Sequence, residues 1–143
     1  MNRETGVHFL FIEKPTTAQI EKITALYKSA GWWTDPGANS DLVTRIVAGS
    51  HCFALALVGG DVVGMGRAIS DGVSDAYIQD ITVDKALRNR GIGLQIVKKI
   101  VARLAQDRLG WIGLIAERGT SPFYEKVGFK IMPESTPMVK EYS

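Results

Sequence analysis

Cysteine is nearly absent from this sequence of 143 residues, because Cys52 is its single example. An internal disulfide is therefore excluded, and a lone thiol is typical of a reducing compartment, so we expect a cytoplasmic location. No apolar run approaches the roughly 20 residues that a membrane-spanning helix needs, and the first residues lack a signal-peptide pattern. We therefore expect no membrane partner.

An excess of charge of one sign is also missing. The 17 Lys and Arg residues nearly balance the 15 Asp and Glu residues and leave a net charge of +2. This excess is small and scattered, so it does not favour nucleic acid as a partner. Repeats and low-complexity segments are absent, and 45% apolar with 22% charged residues is ordinary for a globular protein. We predict a single domain over residues 1–143.

Two common phosphate-binding motifs are missing as well. No string fits the P-loop pattern GxxxxGK[ST]. Gly91 and Gly93 begin a dinucleotide fingerprint, but Ile96 stands where that fingerprint requires a third small residue. A nucleotide-phosphate binder of another kind stays open, and it would bind ATP better than coenzyme A.

The stretch Tyr77–Leu104 predicts a strand, a glycine-rich turn and a long amphipathic helix. Its first seven residues, Tyr77–Val83, are rich in β-forming side chains. Strict alternation would then place Tyr77, Gln79, Ile81 and Val83 on one face and Ile78, Asp80 and Thr82 on the other. The helix is predicted to begin near Gly91 and to close near Arg108, because apolar residues recur every four positions at Ile92, Ile96, Ile100 and Leu104.

The turn between this strand and helix has the properties of an anion site. A helix start leaves about four backbone N–H groups without intrahelical partners and carries roughly half a positive charge. Gly91 and Gly93 lack a Cβ, so a ligand oxygen can approach the backbone closely. Arg88 and Arg90 add two guanidinium groups. These features together suit a diphosphate.

Two motifs carry a resemblance to a known family. The string Arg88-Asn89-Arg90-Gly91-Ile92-Gly93 fits [RQ]xxGxG/A, a pattern of the GCN5-related N-acetyltransferases, the GNAT superfamily. A second string, FYEKVGF over Phe123–Phe129, resembles the family's [FL]Yxx-x-GF motif. The two motifs occur in the family's order, and the resemblance covers roughly residues 7–142. The fold it implies is α/β (α+β), with a mixed, twisted central sheet of six to seven strands and about four helices packed on both faces.

The remaining patterns predict the other elements of that fold. A helix capped near Thr16 is expected to end at Gly31, a second helix follows Ser40, and a short one starts at Pro122. The further strands are expected at Val7–Glu13, His51–Val58, Val62–Ser70, Trp111–Ala116, Phe129–Met132 and Met138–Tyr142. Gly64 and Gly66 leave one face of their strand without side chains, which predicts close packing there, by a bulge, a neighbouring element or a ligand.

The resemblance implies acetyl-coenzyme A as the donor. By resemblance, the loop Arg88–Gly93 wraps its pyrophosphate, and Ile81, Thr82 and Val83 contact its pantetheine arm and acetyl group through the main chain, as if it were an added strand. Phe123 is assigned to the same site. Tyr124 occupies the family's general-acid position, and a phenol with a reference pKa of about 10 is protonated at neutral pH. No metal is expected.

The base and the acceptor site are less well defined by the sequence. Asp80 is our candidate base, although the sequence leaves Glu117 and a water chain open for that role. The alternative for Asp80 is a structural carboxylate that caps a backbone group or forms a salt bridge. Trp32 and Trp33, in a turn that runs to Gly37, either line the acceptor site or cap the core edge. Gln79 and Glu117 are also assigned to the acceptor side. Many relatives have asparagine at the position of Glu117, so the contacts that the asparagine makes in those relatives do not carry over to this chain.

The function implied is N-acetyl transfer from acetyl-CoA to a primary amine, by direct attack in a ternary complex. The acceptor would be a small molecule or a protein lysine or N-terminus. The oligomeric state stays open between a monomer and a homodimer, and dimers are frequent among relatives. The alternative is a coenzyme-A-binding sensor or regulatory protein that lost catalysis. Retention of Tyr124 argues against this alternative.

Overall fold

Five strands pair in sequence order in the part of the chain that the computed structural model describes, residues 6–34 and 40–142. The strands are β1 (Val7–Phe11), β2 (Cys52–Val58), β3 (Asp61–Ser70), β4 (Asp75–Val83) and β5 (Trp111–Gly113). The helices are α1 (Thr17–Ser29), α2 (Ser40–Gly49), α3 (Ile92–Gln106) and α4 (Ser121–Glu125). Strands β1 to β4 are antiparallel neighbours, whereas β4 and β5 are parallel. The crossover through α3 accounts for that parallel pair.

The sheet separates two apolar clusters, as expected for helices on both faces. Phe53, Leu55 and Met65 are fully buried in the cluster that contains α1 and α2. Ala54 and Ala56, which alternate with those β2 residues, lie in the cluster that contains α3. The two-residue period of the strand therefore supplies both faces, and the predicted mixed α+β architecture is confirmed.

Helix α1 begins at the predicted cap. Thr16 Oγ1 accepts a hydrogen bond from the Gln19 N–H at 3.1 Å, and Gln19 Oε1 accepts one from the Thr16 N–H at 2.9 Å. This reciprocal capping box satisfies two N–H groups at the helix start. Near the other end, α1 places Tyr27, with 3% of its surface exposed, against the sheet.

A bulge in β4 overturns the predicted alternation along that strand. Between the pairs Met65–Thr82 and Arg67–Gln79, the single residue Gly66 opposes both Asp80 and Ile81. Asp80 adopts a left-handed backbone conformation with φ of +62°. The extra residue shifts the side-chain pattern, so Gln79 lies beside Arg67 whereas Ile81 packs with the α3 cluster. The prediction that Gln79 and Ile81 share a face was wrong.

The predicted strand count was too high. Five strands are present in the described residues, and neither Phe129–Met132 nor Met138–Tyr142 is among them. Pro133 and Pro137 each lack the N–H that a ladder needs, and residues 130–142 are exposed, so little apolar burial stabilises pairing there. Strand β5 likewise stops at Gly113 instead of Ala116.

The glycines of β3 confirm the predicted close packing. A Cβ on Gly66 would overlap Cδ1 of Ile81 and lie 3.0 Å from Cγ2 of Ile96. A Cβ on Gly64 would lie 3.0 Å from Cδ1 of the same Ile96. Helix α3 therefore packs directly on the backbone of β3, which fixes the position of its N-terminus relative to β4.

Candidate active site

The glycine-rich turn leads straight into the N-terminus of α3. Gly91 is the N-cap residue with φ of +82°, and no side chain caps this helix. The Gln95 N–H donates to the Gly91 carbonyl at 3.0 Å, which is the first hydrogen bond of the helix. Three N–H groups precede it without a partner anywhere in the described residues, those of Ile92, Gly93 and Leu94. The predicted cluster of free amides is therefore present.

The two glycines of the turn differ in their surroundings. A Cβ on Gly91 would meet no atom within 4 Å, so the space outside it is open to a ligand. A Cβ on Gly93 would lie 3.4 Å from Cζ of Phe123 and 3.6 Å from Cγ2 of Val83. Gly93 thus lets α4 pack its phenylalanine against the start of α3, which places Phe123 beside the loop as assigned.

The arginines of the turn also differ. Arg88 Nε donates to the Val83 carbonyl at 3.1 Å, which ties the turn to the end of β4. Arg90 is exposed and forms no ion pair with any described residue. Asn89 between them has φ of +65°, which helps the chain reverse. One guanidinium therefore closes the turn, and the other stays available to an anion.

The edge of β4 that faces β5 is largely unpaired. The two strands pair only from Asp75–Trp111 to Tyr77–Gly113. Beyond that point, residues 78–83 pair with no strand on this side in the described chain, and the Val83 carbonyl accepts the bond from Arg88 Nε. Thr82 and Val83 are both 8% exposed, so their side chains are buried and their main chain is what the edge presents. An extended ligand arm fits such an edge as an added strand.

Tyr124 lies on α4, directly after the phenylalanine that packs against Gly93. Its ring meets Phe123 edge-on, with centroids 4.9 Å apart, and also contacts Phe129. Burial raises the pKa of the Tyr124 phenol, and the nearby Glu117 carboxylate raises it further. The hydroxyl has no hydrogen-bond partner among the residues described. It is therefore a protonated donor at neutral pH, as the acid role requires.

Asp80 is the centre of a polar network on the opposite face of the sheet from α3. Its Oδ2 accepts a hydrogen bond from the Tyr27 hydroxyl at 2.7 Å and one from Arg67 Nε at 2.7 Å. Arg67 also donates to Ser50 Oγ at 3.3 Å and to Gln79 Oε1 at 3.4 Å. Burial, followed by the charge of Asp80, raises the pKa of Tyr27. The salt bridge of the structural alternative is present, and the base role stays a prediction.

Sequence reasoning missed Tyr27 and Arg67 as members of this site. Tyr27 fits the apolar period of α1, a pattern that indicates a core residue and does not indicate a polar contact. Its partner Asp80 is 53 positions away, and no local pattern connects the two. Arg67 had a weak signal for membership of the site, because a hairpin between β3 and β4 places it opposite Gln79, which the sequence assigns to the acceptor side.

The two indoles pack around Tyr27. Trp33 stacks on the Tyr27 ring at 4.1 Å with an interplanar angle of 4°, and Trp32 meets it edge-on at 6.1 Å. Both indoles are half-buried, so they cover the core edge and also border the Asp80 network. Arg118, in the loop after β5, comes within 4.0 Å of a Cβ placed on Gly31. Residues 35–37 of this predicted turn lie outside the described residues.

A separate groove along α3 and β1 contains none of the predicted site residues. Phe11, Lys99, Arg103, Gln106 and Asp107 are among its lining residues. Asp107 is already bonded to His51 Nε2 at 2.7 Å and to Arg103 Nε at 2.9 Å. The His51 bond, and then the Arg103 bond, lowers the pKa of Asp107. His51 therefore has a structural role in this cluster.

Other site chemistries find little support in residues 6–34 and 40–142. Cys52 is buried, and this burial raises the pKa of its thiol to about 11, unlike the lowered pKa of a reactive cysteine. Those residues contain no group of three or more His, Cys, Asp or Glu that could hold a metal ion. None of their helices is long and apolar enough to cross a membrane.

Comparison with known proteins agrees with this geometry. Residues 21–141 match the family model described as an acetyltransferase (GNAT) domain. A chloroplastic GCN5-related N-acetyltransferase 2 from Arabidopsis thaliana is 38% identical over 73 residues, which are 51% of this chain and 28% of that protein. A chloroplastic serotonin N-acetyltransferase 2 from Oryza sativa subsp. japonica is 32% identical over 76 residues, 53% of this chain and 38% of that protein. The matches thus span well under half of these curated relatives.

A solved structure extends the likeness to nearly the whole chain. A GNAT-family acetyltransferase from Streptococcus pneumoniae superposes with a TM-score of 0.75 at 26% identity, over 95% of this chain and 98% of that one. The family match covers residues that include the glycine-rich turn, the open edge of β4 and Tyr124. The chain therefore belongs to the GNAT family of acetyltransferases.

Proposed function

We propose that this protein transfers an acetyl group from acetyl-CoA to a primary amine. The observation that carries the proposal is the group of three free N–H donors at the start of α3, next to the unpaired edge of β4. A diphosphate and an extended pantetheine arm need these two features side by side. Bound acetyl-CoA would supply an acetyl thioester that is already activated toward nucleophiles.

The donor half of the site is built mainly from the backbone. The amides of Ile92, Gly93 and Leu94 would hold the diphosphate, with Arg90 neutralising its charge. The main chain of Ile81, Thr82 and Val83 would align the arm and place an N–H near the acetyl carbonyl oxygen. A fixed donor there stabilises the charge that grows on that oxygen during acyl transfer.

Two side chains would handle the protons. Asp80 takes a proton from the acceptor ammonium, which leaves a nitrogen lone pair for attack on the acetyl carbon. Tyr124 gives its hydroxyl proton to the departing sulfur, so that coenzyme A leaves as a thiol. The nitrogen loses a second proton as the amide forms, and this proton balances the hydroxyl proton that Tyr124 donates to the sulfur. The net reaction converts an ammonium group and a thioester into an amide, a thiol and one free proton.

The test combines calorimetry and a thiol-release assay. Acetyl-CoA should bind with measurable heat, and ATP should bind far more weakly. Thiol should then appear only when an amine is added, from a panel of serotonin, spermidine, a lysine-containing peptide and a free N-terminal peptide. Binding of acetyl-CoA without acceptor-dependent thiol would favour the sensor alternative. The absence of heat would reject the donor site altogether.

A further inference from the structure

We propose that Tyr27 and Arg67 are positioning residues for Asp80, and that Asp80 with the Tyr27–Trp33 ring pair forms a subsite for a primary ammonium group on an aromatic or apolar body. This inference rests on the proposed function, because it names the acceptor class of the same site. It adds Tyr27 and Arg67 to the site and names the class of acceptor that the site would bind.

The first observation is that the two oxygens of Asp80 are unequal. Oδ2 receives both short bonds, from the Tyr27 hydroxyl and from Arg67 Nε, each at 2.7 Å. Oδ1 receives no hydrogen bond from any group in residues 6–34 and 40–142. The Asp80 side chain is 20% exposed, and we infer that Oδ1, the oxygen without a hydrogen bond, is the one that a ligand can reach. An ionised carboxylate accepts more than two hydrogen bonds, which leaves Oδ1 for an N–H donor.

The second observation is that the backbone fixes this orientation. Asp80 is the bulged residue of β4 and has φ of +62°, a conformation that side-chain-bearing residues seldom adopt. Rare conformations of this kind persist where surrounding structure over-determines them, often at binding sites. Bonds from two different elements, α1 and β3, hold the carboxylate, and Arg67 is itself held by Ser50 and Gln79. Tyr27 and Arg67 therefore restrict the carboxylate to one rotamer.

The third observation concerns the rings around Tyr27, whose hydroxyl bonds Asp80, and the charge of Arg67. Tyr27 and Trp33 stack face to face at 4.1 Å, and Trp33 is half-buried. Aromatic faces attract ammonium groups and pack well on apolar bodies. Arg67 offsets the charge of Asp80, so the subsite favours a single ammonium over a polycation. A compact aromatic amine is the ligand that uses both the carboxylate and the ring pair.

The experiment uses 2-phenylethylammonium as the probe and 2-phenylethanol as its uncharged match. Both are titrated into the intact protein at neutral pH while the indole N–H resonances are followed by NMR. The ammonium should shift the Trp33 resonance saturably and bind about 10-fold more tightly than the alcohol, the usual effect of one charge-assisted hydrogen bond. Asp80→Asn, which keeps the shape, should remove that preference.

The positioning role is tested with Tyr27→Phe, which keeps the ring stacked on Trp33 but removes the hydroxyl. Its affinity for the ammonium should fall about 10-fold, and in turnover assays the acceptor KM should rise while the acetyl-CoA KM stays unchanged. Tyr77→Phe is the matched control, because this exposed tyrosine of β4 touches Trp111 and, among the described residues, no carboxylate. Arg67→Lys should also weaken binding, since lysine keeps the charge but loses the planar fork.

Three results would overturn the inference. They are equal affinity for the ammonium and the alcohol, no saturable shift of Trp33 across the millimolar range, and a Tyr27→Phe affinity equal to that of Tyr77→Phe. None of these touches acetyl-CoA binding, which calorimetry measures separately. Loss of the acceptor subsite and failure of the acetyltransferase proposal are therefore distinguishable.

Discussion

The Tyr27 hydroxyl donates to Oδ2 of Asp80 at 2.7 Å, which joins the last turn of α1 to the bulge of β4. The tyrosine is 3% exposed, and burial together with the Asp80 charge raises the pKa of its phenol. One hydrogen bond thus connects the stability of the sheet–helix contact to the protonation of a buried phenol. This connection gives the bond a pH signature that can be measured.

Tyr27→Phe should destabilise the protein by about 2 kcal/mol at pH 7, the usual size of a hydrogen bond to a charged group. Because the folded pKa is raised above the unfolded value of about 10, this contribution is complete below pH 10 and declines above it. At pH 11 the wild type should have lost about 1.4 kcal/mol of its advantage. Urea unfolding of both proteins from pH 7 to pH 11 measures the difference.

Tyr77→Phe serves as the control for that series, since its ring is 48% exposed. It should leave the free energy of unfolding nearly unchanged at every pH. A Tyr27→Phe deficit that stays constant from pH 7 to pH 11 would contradict the coupling.

Gly91→Ala should weaken acetyl-CoA binding, because its Cβ would project into the open space where the diphosphate is expected. Both Gly91 (φ +82°) and Gly72 (φ +79°) are left-handed with no atom near an added Cβ, so Gly72→Ala is the matched control. Each alanine should cost about 1 kcal/mol of stability through backbone strain. Only the change at Gly91 should reduce affinity, by about 10-fold or more in calorimetry, which corresponds to at least 1.4 kcal/mol. Equal affinities would remove the loop assignment.

Tyr124→Phe should lower kcat by about 100-fold while the calorimetric affinity for acetyl-CoA stays the same, since general acids contribute on that scale. The raised pKa of Tyr124 means that its ionisation should not reduce the rate below about pH 10. Tyr142→Phe is the control, because that side chain is 85% exposed in the C-terminal segment. Turnover equal to the control would remove the acid role.

Gly66→Ala should destabilise the protein by about 1–3 kcal/mol, because the added methyl group would overlap Cδ1 of Ile81. Ile81→Val removes that atom, at a cost of about 1 kcal/mol alone. The double variant should therefore be more stable than the sum of the single effects predicts. Thermal unfolding measures the cycle, with Gly110→Ala as a control in open space. Strict additivity would show that the two side chains do not meet.

The sequence predicted the glycine-rich turn and its free amides better than the contacts around Asp80. The turn Arg88–Gly93 and the period of α3 are local patterns, so the free amides followed directly from them. The Tyr27–Asp80 bond and the bulge depend on register and on contacts across 53 positions, which no local period encodes. The C-terminal strands failed for a different reason. Their β-forming residues satisfy propensity, yet the segment after Phe129 buries too little surface for pairing.

The unpaired edge of β4 has an evolutionary consequence. A ligand bound along residues 78–83, as proposed, would contact peptide groups, which every residue except proline supplies in full. Other substitutions at those positions would therefore preserve the binding as long as the strand keeps its path. The acceptor side of the proposed site depends instead on individual side chains, those around Asp80. Under the proposed function, proteins with this fold could therefore change their acceptor through a few substitutions and still use the same acetyl donor.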